Sequence, residues 1–413
     1  MASASVAALA NRRTLARSGG NIFAAATAMA TQHKSVNLGQ GFPAFPTPEF
    51  AVECVAQALR EGHNQYTRPA GNPLLVEAIA QRYSPLLGRQ LDPLSEVVVT
   101  SGAQEAIFNA FVTFLEEGDA VVTIDPSFDA YRKAAQMVGA TAVGVPLRPV
   151  EGRPATSSKD LRLDVAELEA KLASSRSKIL VLNTPHNPTG KMFSRGELEA
   201  IAAVVRRHPR LLVLSDEVYE CHAFDGNKHT RFATLDGMWD RTVTLFSAGK
   251  TFSATGWRIG YCVGPARLLA PMGDTTGITS FCAPTPLQVG VARAFAAGDK
   301  NGYFADLPRM MQLKRDKLCA ALQAVGMNPI VPEGGYFVLA DTSRLPVPKS
   351  AARRDVSANE WLTKTVGVTG IPTSAFYAPE HQPLSDHVLR FAVCKTDDEI
   401  AAAGERLRRA LVK

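Results

Sequence analysis

The stretch Thr242-Val-Thr-Leu-Phe-Ser-Ala-Gly-Lys-Thr-Phe-Ser-Ala-Thr-Gly-Trp-Arg258 joins a short apolar strand to a loop of small residues. Lys250 stands inside that loop, with the Ser247 hydroxyl three positions before it and Arg258 eight positions after it. An amine that must attack a carbonyl has to be partly desolvated, so that a useful fraction is neutral. A hydroxyl and an arginine beside it suit a phosphate, the arginine as a planar fork of donors. The combination points to a lysine Schiff base with a phosphorylated aldehyde, the chemistry of pyridoxal phosphate. A lone Ser-x-x-Lys is more often an ordinary surface lysine in a turn, so the rest of the chain has to carry the choice.

Outward from this loop, residues 95 to 263 alternate β-branched runs with helical patterns. Glu96–Thr100, Ala120–Ile124, Lys178–Asn183, Leu211–Ser215 and Val243–Ser247 read as strands. Helices are expected over Glu105–Leu115, Phe128–Val138 and Arg195–Arg206. Near-continuous apolar strands separated by helices indicate an α/β fold, a mostly parallel sheet covered on both faces. Ligands of such sheets sit beyond the carboxyl ends of the strands. The C-terminal part reads as a smaller α+β domain. It has helices over Tyr303–Val325, Ser357–Val366 and Thr396–Leu411, and strands at Gly335–Ala340 and Val388–Val393. Leu345-Pro-Val-Pro-Lys-Ser350 is expected to be a surface loop.

Several motifs fall at those strand ends. Thr100-Ser-Gly-Ala-Gln-Glu-Ala106 opens a helix, whose free N–H groups and dipole can cradle a phosphate. Phe128 in Asp125-Pro-Ser-Phe-Asp-Ala-Tyr131 is placed to stack on a flat ring, or else to fill the core. Asn183-Thr-Pro-His-Asn-Pro-Thr-Gly190 is a rigid turn, with Asn187 able to bond a phenolic oxygen. Asp216, at the end of a buried strand, is costly without a partner. A protonated pyridinium nitrogen is one such partner; a helix N-cap is the other reading. Tyr219 could reach the same phenolic oxygen as Asn187. Arg390, mid-strand among apolar neighbours, calls for a carboxylate, either a structural one or that of a substrate bound bidentately.

Bulk properties exclude other classes. The chain has 413 residues, 46% hydrophobic and 20% charged, with a net charge of +6 and no Lys/Arg-rich block. That argues for weak attraction of small anions, not for a nucleic-acid surface. The six cysteines are scattered without a C-x-x-C, so neither a zinc site nor a disulfide framework is expected. No apolar run approaches the roughly 18 residues of a membrane span. The first 48 residues lack Asp and Glu but hold Arg12, Arg13, Arg17 and Lys34. They read as a basic arm on a cytoplasmic protein or, alternatively, as a mitochondrial presequence.

Taken in order, Gly41, Tyr66, Gly102, Asn187, Asp216, Tyr219, Lys250, Arg258 and Arg390 resemble a class I aminotransferase of fold-type I. The similarity is closest to the kynurenine aminotransferase and glutamine transaminase K group, which includes cysteine-conjugate β-lyases. It is carried by Asn37-Leu-Gly-Gln-Gly-Phe-Pro-Ala-Phe-Pro46, Asn64-Gln-Tyr-Thr67, Val181-Leu-Asn-Thr-Pro-His-Asn-Pro188 and the Lys250 loop, and it spans essentially the whole chain. The resemblance implies a seven-stranded sheet in a large pyridoxal-phosphate domain over 49–300. It also implies an arm and part of the small domain over 1–48, and a small C-terminal domain over 301–413. Lys250 would carry the cofactor and shuttle the proton, and Asp216 would pair with the ring nitrogen. Asn187 and Tyr219 would bond the ring oxygen, with Phe128 stacked on the ring. Gly102, Ala103, Gln104, Ser247 and Arg258 would surround the phosphate. Tyr66 would reach it from the other subunit, which implies a homodimer with shared sites. Arg390, Asn187 and the Gly41 backbone would take the substrate carboxylate.

The chain departs from its relatives at Ala103 and Gln104, at Cys282 in place of a common histidine, and at Phe23 in place of a roofing tryptophan. A short leader before Phe23 favours the cytoplasm. Pocket aromatics Phe23, Phe42, Phe281, Tyr336 and Phe337, without an added arginine, imply large uncharged donors such as glutamine, methionine, phenylalanine or kynurenine, with a 2-oxo acid as acceptor. A β-lyase using the same lysine, and a silent ligand-binding domain of a regulator, are the competing readings.

Overall fold

A computed structural model of the protein describes Arg13 and residues 21–348, 350 and 352–412. Arg12 and Arg17 of the basic arm, and Lys349 of the proline-rich loop, lie outside the described residues. The strands of the larger sheet are β1 (Val97–Thr100), β2 (Ala120–Asp125), β3 (Thr141–Pro149), β4 (Leu161–Leu163), β5 (Ser177–Asn183), β6 (Leu212–Asp216), β7 (Thr242–Ser247) and β8 (Gly260–Val263). Their spatial order is β1-β8-β7-β6-β5-β2-β3-β4. β3, β2, β5, β6 and β7 run parallel, while β8 is antiparallel to both β1 and β7. The sheet is thus α/β and mostly parallel, but it has eight strands rather than the seven expected. The addition is β4, three residues laid antiparallel on the edge strand β3. A three-residue strand is too short to show a period.

Strand alternation explains why both faces are buried. Val122, Ile124, Leu180, Leu182 and Val213 pack on one side with Leu198, Ile201, Val204 and Val205 of helix Arg195–Arg207. Their chain neighbours Val121, Ile179, Val181 and Leu214 pack on the other side with Ile107 and Phe111 of helix Ala103–Phe114. A period of two feeding two apolar layers is what a doubly covered sheet requires.

The second sheet holds β9 (Asn328–Ile330), β10 (Phe337–Asp341), β11 (Ile371–Pro372) and β12 (Val388–Ala392), in the order β9-β10-β12-β11 and antiparallel throughout. Helices Tyr303–Gln323 and Asp397–Leu411 share its core through Leu318, Leu322, Ile400 and Leu407. The expected helix to Val366 stops at Trp361 and ends in one wide turn over Leu362–Val366.

Leu38 belongs to the core of this second sheet, and its carbonyl accepts from Ala392 N at 2.6 Å. The chain then crosses toward the larger sheet, because the Gly41 carbonyl accepts from Lys250. An N-terminal helix, Ile22–Gln32, went unread in the sequence. Asn21 caps it, accepting from Phe23 N at 2.9 Å.

Candidate active site

The carboxyl ends of β5, β6 and β7 bring Asn183, Asp216 and Ser247 to one rim. Lys250 sits one helical turn beyond β7, in Ala248–Thr251. Its Nζ donates to the Gly41 carbonyl at 2.9 Å and lies 4.8 Å from the Tyr336 ring centroid. Burial, reinforced by the Arg390 and Arg258 charges, brings its pKa from 10.5 down to about 8. An amine lowered this far is partly neutral near pH 8.

Asp216 ends β6 with its carboxylate buried. The Tyr131 hydroxyl donates to Oδ2, and Val218 N donates to Oδ1 at 3.3 Å. Burial pushes its pKa up to about 6, against the pull of the Tyr131 bond. Its backbone carbonyl accepts from Asn183 Nδ2 at 2.8 Å and from Thr184 N at 3.1 Å, which locks β5 to β6 at the rim. Asn183 also accepts from Asn187 N at 2.7 Å, so one side chain shapes the whole Asn183–Gly190 turn.

Gly102 precedes helix Ala103–Phe114 at φ +87°, a conformation that favours glycine. A Cβ there would lie 2.2 Å from the Arg258 Nη2. The missing side chain thus lets the guanidinium cover the start of the helix. No side chain caps this helix, and Ala103, Gln104, Ser247 and Arg258 all line the cavity. Arg258 donates only to the backbone carbonyls of Thr255 and Ser101, and no ion pair involves it among the described residues. A helix N-terminus facing an arginine without a counter-charge is able to receive an anion.

Arg390, in the middle of β12, is only 2% exposed. Nη2 donates to the Gly39 carbonyl at 2.9 Å and Nη1 to Asn187 Oδ1 at 3.2 Å, while the buried Nε has no partner. No carboxylate of the described residues pairs with it. Its Cζ lies 3.9 Å from the Phe337 ring centroid, 4.8 Å from Phe376 and 5.2 Å from Phe23. A structural ion pair, one of the two readings of this arginine, is therefore absent.

These groups line one cavity of about 270 Å³, together with Gly41, Phe42, Phe128, Tyr219, Gln40 and Thr255. Four expected residues do not line it: Gly102, which lies against the Arg258 guanidinium, and Tyr336, Tyr66 and Phe281. Tyr336 lies behind the lysine, its hydroxyl donating to the Lys250 carbonyl at 3.2 Å, and Phe337 faces the cavity instead. Adjacent strand residues point to opposite faces, so the Tyr336-Phe337 pair can present only one ring. Tyr66 is 83% exposed and packs edge-on against Phe281 at 4.9 Å between centroids. Neither ring lines the cavity of a single chain.

A model of the class I and II aminotransferases matches residues 33–407. The chain belongs to the class I and II aminotransferases. Among curated relatives, kynurenine--oxoglutarate transaminase of Dictyostelium discoideum is 40% identical over 398 residues, covering 92% of this chain and 91% of that protein. Kynurenine--oxoglutarate transaminase 1 of Homo sapiens is 41% identical over 92% of this chain and 93% of its own. Among solved structures, a methionine aminotransferase of Escherichia coli superposes with a TM-score of 0.87 at 34% identity, covering 97% and 99% of the two chains. An aspartate aminotransferase of Thermus thermophilus gives 0.84 at 30% identity, covering 97% and 99%.

The aminotransferase has three contacts that sequence reasoning left without a role. Tyr131 was visible in its motif, but nothing in the sequence tied it to Asp216, 85 positions away. Gln40 donates to the Phe23 carbonyl at 2.8 Å and so anchors the N-terminal helix to the pocket loop. Ala44 N donates to the Cys394 carbonyl at 3.0 Å, which ties the pocket loop to the end of β12. Only the fold brings these pairs together.

Proposed function

We propose that this aminotransferase uses pyridoxal 5'-phosphate to move the amino group of a large uncharged L-amino acid to a 2-oxo acid. The donors envisaged are kynurenine, glutamine, methionine and phenylalanine. The observation that carries the reading is Arg390, a buried guanidinium with no carboxylate partner, facing the same cavity as Lys250. A buried charge of this kind is costly until a ligand supplies its counter-ion. The residues present fit the cofactor. The Gly102 gap, the uncapped helix start and the unpaired Arg258 suit its phosphate, and the buried Asp216 suits a protonated ring nitrogen.

When bound, pyridoxal phosphate supplies an aldehyde for the amino group and a ring that withdraws the electron pair of the α-carbon. Lys250 Nζ, already lowered toward neutrality, takes the proton from the substrate α-carbon and returns one during the reverse half. Arg390 and Asn187 hold the α-carboxylate so that the α-hydrogen points at Lys250. Phe23, Phe42 and Phe337 exclude water and present an apolar wall to the side chain.

Specificity rests on that wall. Both aspartate and methionine aminotransferases share this fold, so the fold leaves the donor open. The cations lining the cavity are Lys250, Arg258 and Arg390, each of which has a task in the reading above. A dicarboxylate donor would leave its second charge facing phenylalanine rings, at a desolvation cost. Measuring kcat/KM for kynurenine, glutamine, methionine, phenylalanine and aspartate tests this. The uncharged donors are expected to lead, and aspartate as the best donor would overturn it.

A further inference from the structure

Asp216 and Tyr219 line the cavity, whereas Glu217 and Glu220 of the same turn do not. Backbone bonds hold the two ends of the turn, Thr184 N donating to the Asp216 carbonyl at 3.1 Å and His222 N to the Tyr219 carbonyl at 2.8 Å. Glu217 N donates to the Leu245 carbonyl at 3.0 Å, and Glu220 N donates back to the Glu217 carbonyl at 2.9 Å. The outer face of the turn is held by side chains. Arg231 Nη1 donates to Glu217 Oε2 at 3.0 Å, and its Nη2 donates to Glu220 Oε2. The Tyr83 hydroxyl takes the other Glu220 oxygen. His229 Nε2 and Ser215 Oγ complete Glu217 at 2.7 and 2.9 Å.

We propose that Arg231 is a positioning residue: by bridging Glu217 and Glu220 it fixes the turn that presents Asp216 and Tyr219 to the cofactor. Residues three apart on a turn share a face. Asp216 and Tyr219 form one such pair, and Glu217 and Glu220 form the other. One planar guanidinium spans the outer pair, which a lysine ammonium, a single point charge, cannot do. The guanidinium is itself held sideways, 5.2 Å from the Tyr83 ring centroid and 5.6 Å from that of Phe246. Arg231 touches neither the cavity nor its contents, so its effect passes through the turn. The inference rests on the cofactor reading given above.

The test uses Arg231→Met, Arg231→Lys and the triple variant Glu217→Gln/Glu220→Gln/Arg231→Met. Equilibrium binding of pyridoxal phosphate to each apoprotein is measured alongside apoprotein thermal unfolding and steady-state kinetics. Arg231→Met is expected to weaken cofactor binding and lower kcat by about tenfold or more, since small misplacements of catalytic groups carry costs of that order. KM for the amino acid is expected to stay within about twofold, because Arg390 holds the carboxylate through Gly39 and Asn187 and not through this turn. The triple variant removes the bridging guanidinium and both carboxylates together, and His229 then faces a neutral amide. This variant is expected to regain thermal stability without regaining cofactor affinity. Recovery of both would make the arginine a charge-balancing residue only and overturn the proposal. So would wild-type affinity in Arg231→Met. Should Arg231→Met fail to fold, Arg231→Lys provides the comparison, with partial loss expected and wild-type cofactor affinity overturning. A wild-type protein that took up no pyridoxal phosphate would sink the cofactor reading, and this inference with it.

Discussion

The Lys250 ammonium and the Gly41 carbonyl, 209 positions apart in the chain, meet at 2.9 Å. Arg390 does the same to the Gly39 carbonyl, also at 2.9 Å. Two cations that line the cavity thus both bond the pocket loop. The loop is fixed independently by Ala44 N, which donates to the Cys394 carbonyl at 3.0 Å. Gly41 therefore keeps its place when Lys250 turns to its task.

This geometry predicts how the apoprotein takes up its cofactor. Only neutral Lys250 attacks the aldehyde, and burial sets its pKa at about 8. Below that value the neutral fraction rises about tenfold per pH unit, and above it the fraction levels off. The rate of uptake is expected to follow that curve. Lys250→Ala is expected to leave no borohydride-fixed label on the protein. A rate still climbing toward pH 10, or a label mapped to another lysine, would contradict the assignment.

Asp216 sets stability against function. Its folded pKa, about 6, lies above the ordinary 3.8. A raised carboxylate contributes stability that is present below pH 3.8 and lost as pH rises through 6. At pH 7 to 8 the apoprotein carries this cost, about 3 kcal/mol for a shift of about two units. Asp216→Asn is therefore expected to unfold at a higher temperature than wild-type apoprotein above pH 6, with the difference closing below pH 4. The same change is expected to lower kcat by ~10²-fold or more, as when one partner of a buried charge pair is removed. Calorimetry of the apo forms across pH, together with turnover, checks both halves.

Legibility in the sequence followed how local the signal was. β1, β2, β5, β6 and β7 are short apolar runs, and each was visible as such. β3 was hidden by Gly144, Pro146 and Pro149, and β8 is only four residues, just beyond the motif that ends at Arg258. Lys250, Asp216, Asn187 and Arg390, which line one cavity, were singled out because charged or amide groups at strand ends or inside apolar strands stand out. Tyr336 was misplaced because pleat direction is not set by residue type. Tyr131 and Gln40 act through partners that the chain brings in from far away, 85 and 17 positions, and no spacing announces them.

Tyr66 and Phe281 pack together and are both exposed, and Ile278, three positions before Phe281, is 89% exposed. Apolar side chains exposed in this way suit a partner. A homodimer in which Tyr66 completes the neighbouring site is expected. Tyr66→Ala and Lys250→Ala, each nearly inactive alone, should then complement when mixed after dissociation. Random two-fold assembly leaves roughly a quarter of the sites intact. A fully active monomer in sedimentation, or no recovery on mixing, would count against shared sites.

Arg390 and Phe23 touch, yet they are expected to fail in different ways. Arg390 faces the part that every donor has in common, and Phe23 faces the part that differs. Arg390→Gln removes the cation that awaits the α-carboxylate, a loss of about 3–5 kcal/mol for a buried pair broken on one side. That corresponds to ~10²–10⁴-fold in kcat/KM, and it should fall alike on phenylalanine, methionine and glutamine. Arg390→Lys should recover little, because a point charge cannot bond both carboxylate oxygens in the plane that the guanidinium provides. Phe23→Ala removes one ring of the cage and part of the apolar wall. Its cost should be about tenfold or more for phenylalanine and kynurenine and smaller for glutamine, since buried apolar area scales with the donor side chain. Kinetics of the three variants on the four donors separate the two roles. A Phe23→Ala loss equal across all donors would show that Phe23 serves by holding Arg390 in place, not by contacting the side chain.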